Sequence, residues 1–141
     1  MVALLSIPPP VIADLPPEAA SKQLFRLKAE ALLTSIGQRP LRFRRDGPAD
    51  LSVIVVVHRH LPLTLLALAS LRDNYSGSIE LILVDSGSGP HDGTRFIENY
   101  VDGVKLLRFD QNIQFLRGCN AALQIATGEA VLLVTISPMT Y

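Results

Sequence analysis

The sequence predicts an α/β fold with a parallel sheet, preceded by a proline-rich leader and a helix. From residue 51 onward, short apolar runs alternate with longer segments whose apolar residues recur at helical spacing, and this alternation is typical of βαβ units. The runs are continuous rather than alternating, which indicates strands covered on both faces. The length of 141 residues, 48% of them hydrophobic, suits one domain with a sizeable core.

The part before residue 51 is predicted to contain three segments. Residues 1–17 form a disordered leader, because Pro8-Pro-Pro10 and Pro16-Pro17 lack donor N–H groups and fix φ. Residues 18–37 form an amphipathic helix, for which the apolar stripe is Leu24, Leu27, Ala31 and Leu32. Residues 38–50 form a linker. Its arginines, Arg42, Arg44 and Arg45, are interpreted as solvated charges rather than as a phosphate or nucleic-acid site.

Residues 51–141 are predicted to contain the sheet. The strands are Leu51–Val57, Ile79–Val84, Val104–Phe109 and Ala130–Ile136, and the helices are Pro62–Asn74, Thr94–Tyr100 and Phe115–Ala126. Right-handed crossovers bring the carboxyl ends of parallel strands to one edge, where α/β proteins bind ligands. Function is therefore expected in the loops that follow the strands, at residues 58–61, 85–93, 110–117 and from 137 onward.

Composition excludes several classes of protein. Thirteen basic and thirteen acidic residues give no formal net charge, so a strongly basic nucleic-acid binder is excluded. The single cysteine, Cys119, excludes a disulfide framework within the chain and mildly favours a cytoplasmic location, with peripheral membrane association left open for the helix at 18–37. No apolar run reaches the roughly 18–20 residues of a transmembrane helix. A dinucleotide-dependent oxidoreductase needs a glycine-rich turn where His58-Arg-His-Leu-Pro62 stands.

The second strand leads into the most informative segment, Val84-Asp-Ser-Gly-Ser-Gly-Pro-His-Asp-Gly-Thr94. Its glycines allow positive φ and a close approach of backbone to a ligand. Asp85 could accept a hydrogen bond from a base or a ribose hydroxyl, or it could cap the turn through its own backbone. Asp92 or Thr94 could cap the helix that follows.

These residues resemble the family 2 glycosyltransferases. The matching segments are Leu51–Arg59, Val84–Ser88 with Asp92-Gly-Thr94, Asn112-Ile-Gln-Phe-Leu-Arg-Gly-Cys-Asn120, and Gly128-Glu129, in the family's order over about residues 51–134. The resemblance implies a partial GT-A fold with a Rossmann-like parallel sheet. It also implies an inverting hexosyltransferase ancestry, a UDP- or TDP-sugar ligand, and a role in polysaccharide biosynthesis.

The resemblance also implies a nucleotide-sugar site. The residues that the resemblance assigns to this site lie at the end of the first strand, in the turn that contacts the base, in the loop before the last helix, and on that helix. They are Val57, His58, Asp85, Ser86, Asn112, Arg117, Gly118 and Asn120. Three of these have an alternative role: His58 as a neutral histidine at the core edge, Arg117 as a solvated charge, and Asn120 as a packing or capping residue. Several positions depart from the family pattern. Val56 and His58 stand where proline and tyrosine are common, Arg59 replaces an asparagine, and Gln114 replaces a glycine.

The largest departure follows the last strand. There the family places a carboxylate that holds Mg²⁺ or Mn²⁺ against the sugar diphosphate, but Ser137 occupies the position and no Asp or Glu follows Glu129. The family's catalytic base is missing as well, so no catalytic or metal-binding residue is predicted. We expect a truncated nucleotide-binding half that is inactive alone. The alternative is a degenerate, non-catalytic domain that binds a nucleotide or a protein partner, or associates with itself through the incomplete sheet.

Overall fold

The computed structural model describes residues 2–7 and 17–136. Residues 8–16 of the predicted leader, and Ser137 at the predicted metal position, lie outside the described residues. The elements are β1 (Val2–Ile7), α1 (Pro17–Gln38), β2 (Leu41–Arg42), β3 (Leu51–Val57), α2 (Leu61–Asn74), β4 (Ile79–Ser86), a 3₁₀ helix (Gly93–Asn99), β5 (Val101–Asp102), β6 (Val104–Phe109), α3 (Gln114–Leu123) and β7 (Ala130–Ile136).

The main sheet has five strands in the order β1-β7-β3-β4-β6, and every neighbouring pair is parallel. This confirms the predicted α/β fold with a Rossmann-like parallel sheet. Three predicted strands have the observed bounds, and β4 extends two residues further, to Ser86. The register pairs Val57 with Asp85 and Asp85 with Arg108, so the carboxyl ends of β3, β4 and β6 meet at one edge.

Helices cover both faces of the sheet. On one face, Val53 and Val55 of β3 belong to a buried cluster that includes Leu65 of α2 and residues of α1 and the 3₁₀ helix. On the other face, Ile54 belongs to a second cluster that includes Cys119 of α3. Successive residues of a strand point to opposite faces. Both faces of β3 therefore have to be apolar, which explains its continuous apolar run.

The structure differs from the predicted leader at Val2–Ile7, which forms strand β1. This strand lies at the edge of the sheet and pairs in parallel with β7, from Val2 opposite Val131 to Ile7 opposite Ile136. The pairing satisfies backbone groups of β7 that would otherwise be left without a neighbouring strand. Sequence reasoning missed β1 because the strand it pairs with lies at the other end of the chain.

The predicted linker is part of the folded domain. Within residues 38–50, β2 pairs in parallel with β5, Phe43 is 2% exposed and Ala49 is buried. A Cβ atom on Gly103, where φ is +89°, would lie 2.4 Å from the backbone nitrogen of Arg44, so the two segments touch through their backbones. An aromatic side chain buried this deeply anchors the segment to the core.

Three helices differ in detail from the prediction. The predicted helix over 18–37 is present as α1, but among its side chains that the structure describes the buried ones are Ala20, Ser21 and Ile36, while Leu27 is 56% exposed. The predicted helix at Thr94–Tyr100 is a 3₁₀ helix, capped by Asp92 Oδ1, which accepts from the Thr94 backbone N–H at 2.9 Å. The last helix, α3, ends at Leu123 rather than at Ala126.

Candidate functional site

A cavity of about 350 Å³ opens at the carboxyl edge of the sheet, and we call it the strand-end cavity. It is formed by the ends of β3, β4 and β7 and by the loop that leads into α3. Its lining residues are Val56, Val57, His58, Arg59, His60, Ser86, Asn112, Gln114, Phe115, Thr135 and Ile136. Four of the eight predicted site residues are among them.

Ser86 ties the loop before α3 to the end of β4. Its Oγ donates to Asn112 Oδ1 at 2.9 Å and accepts from the Ile113 backbone N–H at 2.8 Å. Asn112 Oδ1 also accepts from the Gln114 backbone N–H at 2.9 Å. These bonds fix the wall of the cavity that is formed by the loop before α3 and the start of α3, so the cavity is preformed on this side.

His58 is held by the same strand end. Its Nδ1 lies 2.6 Å from the carbonyl oxygen of Ser86. A carbonyl oxygen can only accept, so Nδ1 carries the proton and donates it, and Nε2 is the acceptor in the neutral ring. The side chain is exposed rather than enclosed in the core. A ring fixed at Nδ1 can therefore present Nε2 to a ligand.

Three non-glycine residues have positive φ within the described residues, and all three line the strand-end cavity. They are Arg59 at φ +63°, His60 at +61° and Gln114 at +65°. The left-handed region costs a non-glycine residue about 1–2 kcal/mol. The turn at Arg59 is held by its backbone N–H, which donates to Ser88 Oγ at 2.7 Å. Strained backbone of this kind clusters at functional sites, and the φ of Gln114 explains why glycine suits that position.

Asp85 lies beside the cavity rather than in its lining. It is 5% exposed, and its Oδ1 accepts from the Ser88 backbone N–H at 3.1 Å, so the turn-capping role is present. Its Oδ2 lies 3.6 Å from Arg108 Nε. Sequence reasoning missed Arg108. The sequence signal that could have indicated Arg108 is a basic residue near the end of the predicted strand Val104–Phe109, which neighbours the strand that contains Asp85.

The three predicted residues of α3 do not line the cavity. Gly118 is buried against the sheet, and a Cβ atom there would lie 2.9 Å from Val56 Cγ1. The glycine therefore lets α3 approach β3 closely. Arg117 and Asn120 are exposed on the side of α3 away from the sheet. The structure thus brings Val57, His58, Ser86 and Asn112 together, with Asp85 adjacent.

Comparison with known proteins identifies the family of this domain. Residues 52–135, more than half of the chain, match the sequence model of Glycosyl transferase family 2. The chain belongs to this family. A search of curated proteins found no match. The matched segment begins in β3 and ends in β7, and it contains every part of the strand-end cavity except Ile136. A glycosyltransferase-like function follows for this part of the chain.

Within residues 2–7 and 17–136 of this family 2 chain, no three acidic, cysteine or histidine side chains lie close enough together to hold a metal ion. The expected Mg²⁺ or Mn²⁺ of the full family stays a prediction.

Burial raises the pKa of the Cys119 thiol, which disfavours the nucleophilic thiolate.

A second charged cluster of this glycosyltransferase domain lies at the opposite, amino edge of the sheet. Glu80 is 2% exposed, and its carboxylate accepts from Lys105 Nζ at 2.7 Å, Ser52 Oγ at 2.8 Å and the Thr127 backbone N–H at 2.8 Å. Burial alone would raise the pKa of Glu80, but these hydrogen bonds outweigh it and lower the pKa to about 2. Sequence reasoning missed this cluster, which joins β3 and β4 to the turn before β7.

Among the residues that the structure describes, no helix of this family 2 chain has both the length and the apolar character to cross a bilayer.

Proposed function

We propose that this chain binds a nucleoside diphosphate sugar, with UDP or TDP as the nucleotide, in the strand-end cavity. The observation that carries the proposal is the convergence of Val57, His58, Ser86 and Asn112 on one cavity of about 350 Å³. That volume lies within the roughly 300–1,000 Å³ of small-molecule sites, and the carboxyl edge of a parallel sheet is where such ligands bind.

The charged residues around the cavity support separate positions for the base and for the diphosphate of the ligand. The pyrimidine base is proposed to lie toward Asp85, which would accept from the base N–H. Arg108, at 3.6 Å from Oδ2, holds that carboxylate in place. The diphosphate is proposed to lie toward Arg59 and His58, both exposed and both in the cavity lining. With Nδ1 bonded to the Ser86 carbonyl, His58 would donate to a phosphate oxygen from Nε2 in its imidazolium form. Hydrogen bonds from cationic side chains to phosphate are among the stronger polar contacts in proteins.

Donor binding without sugar transfer is the activity proposed for these residues. Transfer in the parent family needs a metal ion to neutralise the leaving diphosphate and a base to deprotonate the acceptor hydroxyl. Ser137 stands at the position where the family resemblance expects the metal-binding carboxylate. The donor sugar would extend toward Thr135 and Ile136, at the end of β7.

Calorimetric titration of the chain with UDP, TDP and their sugar conjugates, with and without Mn²⁺, tests this proposal. We expect saturable binding that His58→Ala weakens by about tenfold, the loss of about one hydrogen bond to a charged ligand. His91→Ala is the matched control, because His91 is an exposed histidine outside the cavity lining. Asp85→Asn is expected to weaken binding of uridine and thymidine nucleotides, since the amide replaces one acceptor oxygen by a donor.

Two outcomes contradict the proposal. If the folded chain binds none of these nucleotides, the strand-end cavity is not a donor site. If Mn²⁺ strengthens binding, the part of the proposal that leaves the metal out is wrong.

Association with a second copy through the edge of the sheet is the other candidate. The observation that favours it is β1, an edge strand of sequence VALLSI that contains no charge and no proline. Such edges pair with other chains unless a charge or a proline blunts them. Sedimentation velocity over a concentration series is expected to show dimers in the wild type and fewer in Ala3→Lys. A monomer at all concentrations would contradict this candidate.

A further inference from the structure

A groove of about 610 Å³ lies at the amino edge of the sheet, on the side opposite the strand-end cavity. We call it the arginine groove. It runs between the segment that precedes β3, the end of α2 and the turn that leads into β4. Its lining residues are Arg42, Phe43, Arg44, Arg45, Asp46, Arg72, Ser76, Gly77, Ser78 and Ile79.

Three of the four arginines are held in place by the protein. Arg44 donates to Asp102 Oδ1 through Nε at 3.3 Å and Nη2 at 3.0 Å. Arg45 donates to Glu80 Oε2 at 3.3 Å and to the Gly47 carbonyl. Arg72 donates to the Gly77 carbonyl at 3.0 Å. A side chain that is already ordered loses less entropy when it binds a ligand.

The ring of Phe43 also supports this arrangement. The guanidinium carbon of Arg72 lies 5.2 Å from the centroid of that ring, which is buried in the core. A cation over an aromatic face is stabilised by the ring quadrupole. The position of Arg72 is thus fixed relative to the sheet rather than only to its own turn.

The groove nevertheless keeps unused donors and positive charge. Arg42 is exposed, and its side chain has no hydrogen bond or ion pair with another residue that the structure describes. Arg44 is 71% exposed and uses two of its N–H groups on Asp102. Asp46 is the one carboxylate among the lining residues, against four arginines.

The carboxylates outside the lining reduce this excess without removing it, since Asp102 pairs with Arg44 and Glu80 pairs with Arg45. Glu80 also pairs with Lys105, at 2.7 Å, and its side chain is 1% exposed. Asp50 Oδ2 accepts from the Ser78 backbone N–H at 3.4 Å at the rim of the groove. These carboxylates orient the arginines and the turn, and the lining itself stays cationic.

We propose that the arginine groove binds an anion with closely spaced phosphate groups. Planar guanidinium groups donate two parallel hydrogen bonds to a phosphate, and several in one groove match a diphosphate or longer anion. The hydroxyl of Ser76 adds a neutral donor to the lining. The segment at 38–50 is therefore a folded part of a binding surface rather than a solvated linker.

Calorimetric titration of the full chain with inorganic pyrophosphate, at low and at physiological salt, tests this inference. Arg42→Glu is the test variant, because Arg42 supports no other described side chain, and Lys28→Glu is the matched control on the exposed face of α1. We expect Arg42→Glu to weaken pyrophosphate binding by about tenfold or more, and Lys28→Glu by less than about twofold, since exposed charges beyond about 10 Å are screened.

A second measurement distinguishes a free anion from a lipid headgroup. Flotation with vesicles of phosphatidylcholine containing phosphatidic acid is compared with vesicles of phosphatidylcholine alone. Binding of pyrophosphate, or of the vesicles with phosphatidic acid, supports phosphate recognition by the groove if Arg42→Glu removes it and Lys28→Glu retains it. The ligand that binds, free anion or lipid, identifies the source of the phosphate. Equal losses in the two variants, or no binding of either ligand, overturns the inference.

One more variant distinguishes pyrophosphate binding in the groove from pyrophosphate binding in the strand-end cavity. His58→Ala removes a side chain from the proposed diphosphate position of the strand-end cavity, at the opposite edge of the sheet from the groove. If His58→Ala abolishes pyrophosphate binding while Arg42→Glu does not, the anion binds at the strand ends and the groove is not a site.

Discussion

Arg108 Nε lies 3.6 Å from Asp85 Oδ2, at the ends of two neighbouring parallel strands. The same guanidinium donates to Glu98 Oε1 at 3.0 Å and to the Arg95 carbonyl at 2.6 Å. Arg108 therefore connects the end of β4 to the 3₁₀ helix, and the glycine-rich turn lies between them. The carboxylate that the family resemblance assigns to the base is held by a residue from a different strand.

Replacing Arg108 by glutamine is expected to destabilise the protein by about 1 kcal/mol, because the half-exposed ion pairs are screened by solvent. Asp85, which is 5% exposed, would lose its cationic neighbour. Urea denaturation measures the change. Arg117→Gln is the matched control, since Arg117 is exposed and has no side-chain partner among the described residues. Equal stability of the two variants would contradict a role for Arg108 in joining these segments.

Acid is expected to destabilise the protein through Glu80. Its pKa is about 2 in the folded state against an ordinary value of 4.5, so its stabilising effect is complete above about pH 5. That effect declines as the pH falls from 4.5 toward 2, because the unfolded chain takes up the proton first. Glu80→Gln is expected to cost about 3 kcal/mol at neutral pH and to flatten this decline.

Denaturation curves collected between neutral pH and pH 2 check the prediction for Glu80. The control is Glu98→Gln, whose side chain is 58% exposed and whose one ion-pair partner among the described residues is Arg108. An unchanged acid dependence in Glu80→Gln would show that other carboxylates cause the decline.

The elements that could be predicted from the sequence are those whose burial produces a local pattern of apolar residues. Leu51–Val57 is apolar on both faces because helices cover both faces, and its bounds could be read from the sequence alone. β1 could not, since its pairing with β7 depends on two segments at opposite ends of the chain. Phe43 was also missed, because one aromatic residue among arginines and loop signals has no periodicity.

The candidate site likewise contains residues that could be predicted from the sequence and residues that could not. Ser86 and Asn112 were predicted from the family resemblance, and the structure joins them by a 2.9 Å hydrogen bond. Arg108 and Glu80 lie inside strands, where a charged residue gives no sign of its partner until the register is known. Gly118 was assigned to the ligand, and the structure shows instead that it allows close packing of α3 on Val56.

Gly118→Ala is expected to destabilise the protein by about 1–3 kcal/mol, because an added Cβ would lie 2.9 Å from Val56 Cγ1. Higher helix propensity would return up to about 1 kcal/mol of this. Asn120→Ala provides the control on the exposed face of the same helix, and it is expected to be neutral or slightly stabilising. Thermal unfolding of both variants measures the difference. If Gly118→Ala is as stable as Asn120→Ala, then α3 does not need a glycine to approach the sheet.

Gln114→Gly is expected to stabilise the protein by about 1 kcal/mol, since φ at this residue is +65° and glycine adopts that region without strain. The Gln114 side chain is exposed, so little packing is lost. Leu116→Gly, two residues further along α3, is the control. Leu116 is 75% exposed in a helical position, where glycine costs about 1 kcal/mol. Urea denaturation should therefore move the two midpoints in opposite directions. A loss of stability in Gln114→Gly would mean that the left-handed residue at the cavity wall carries no strain.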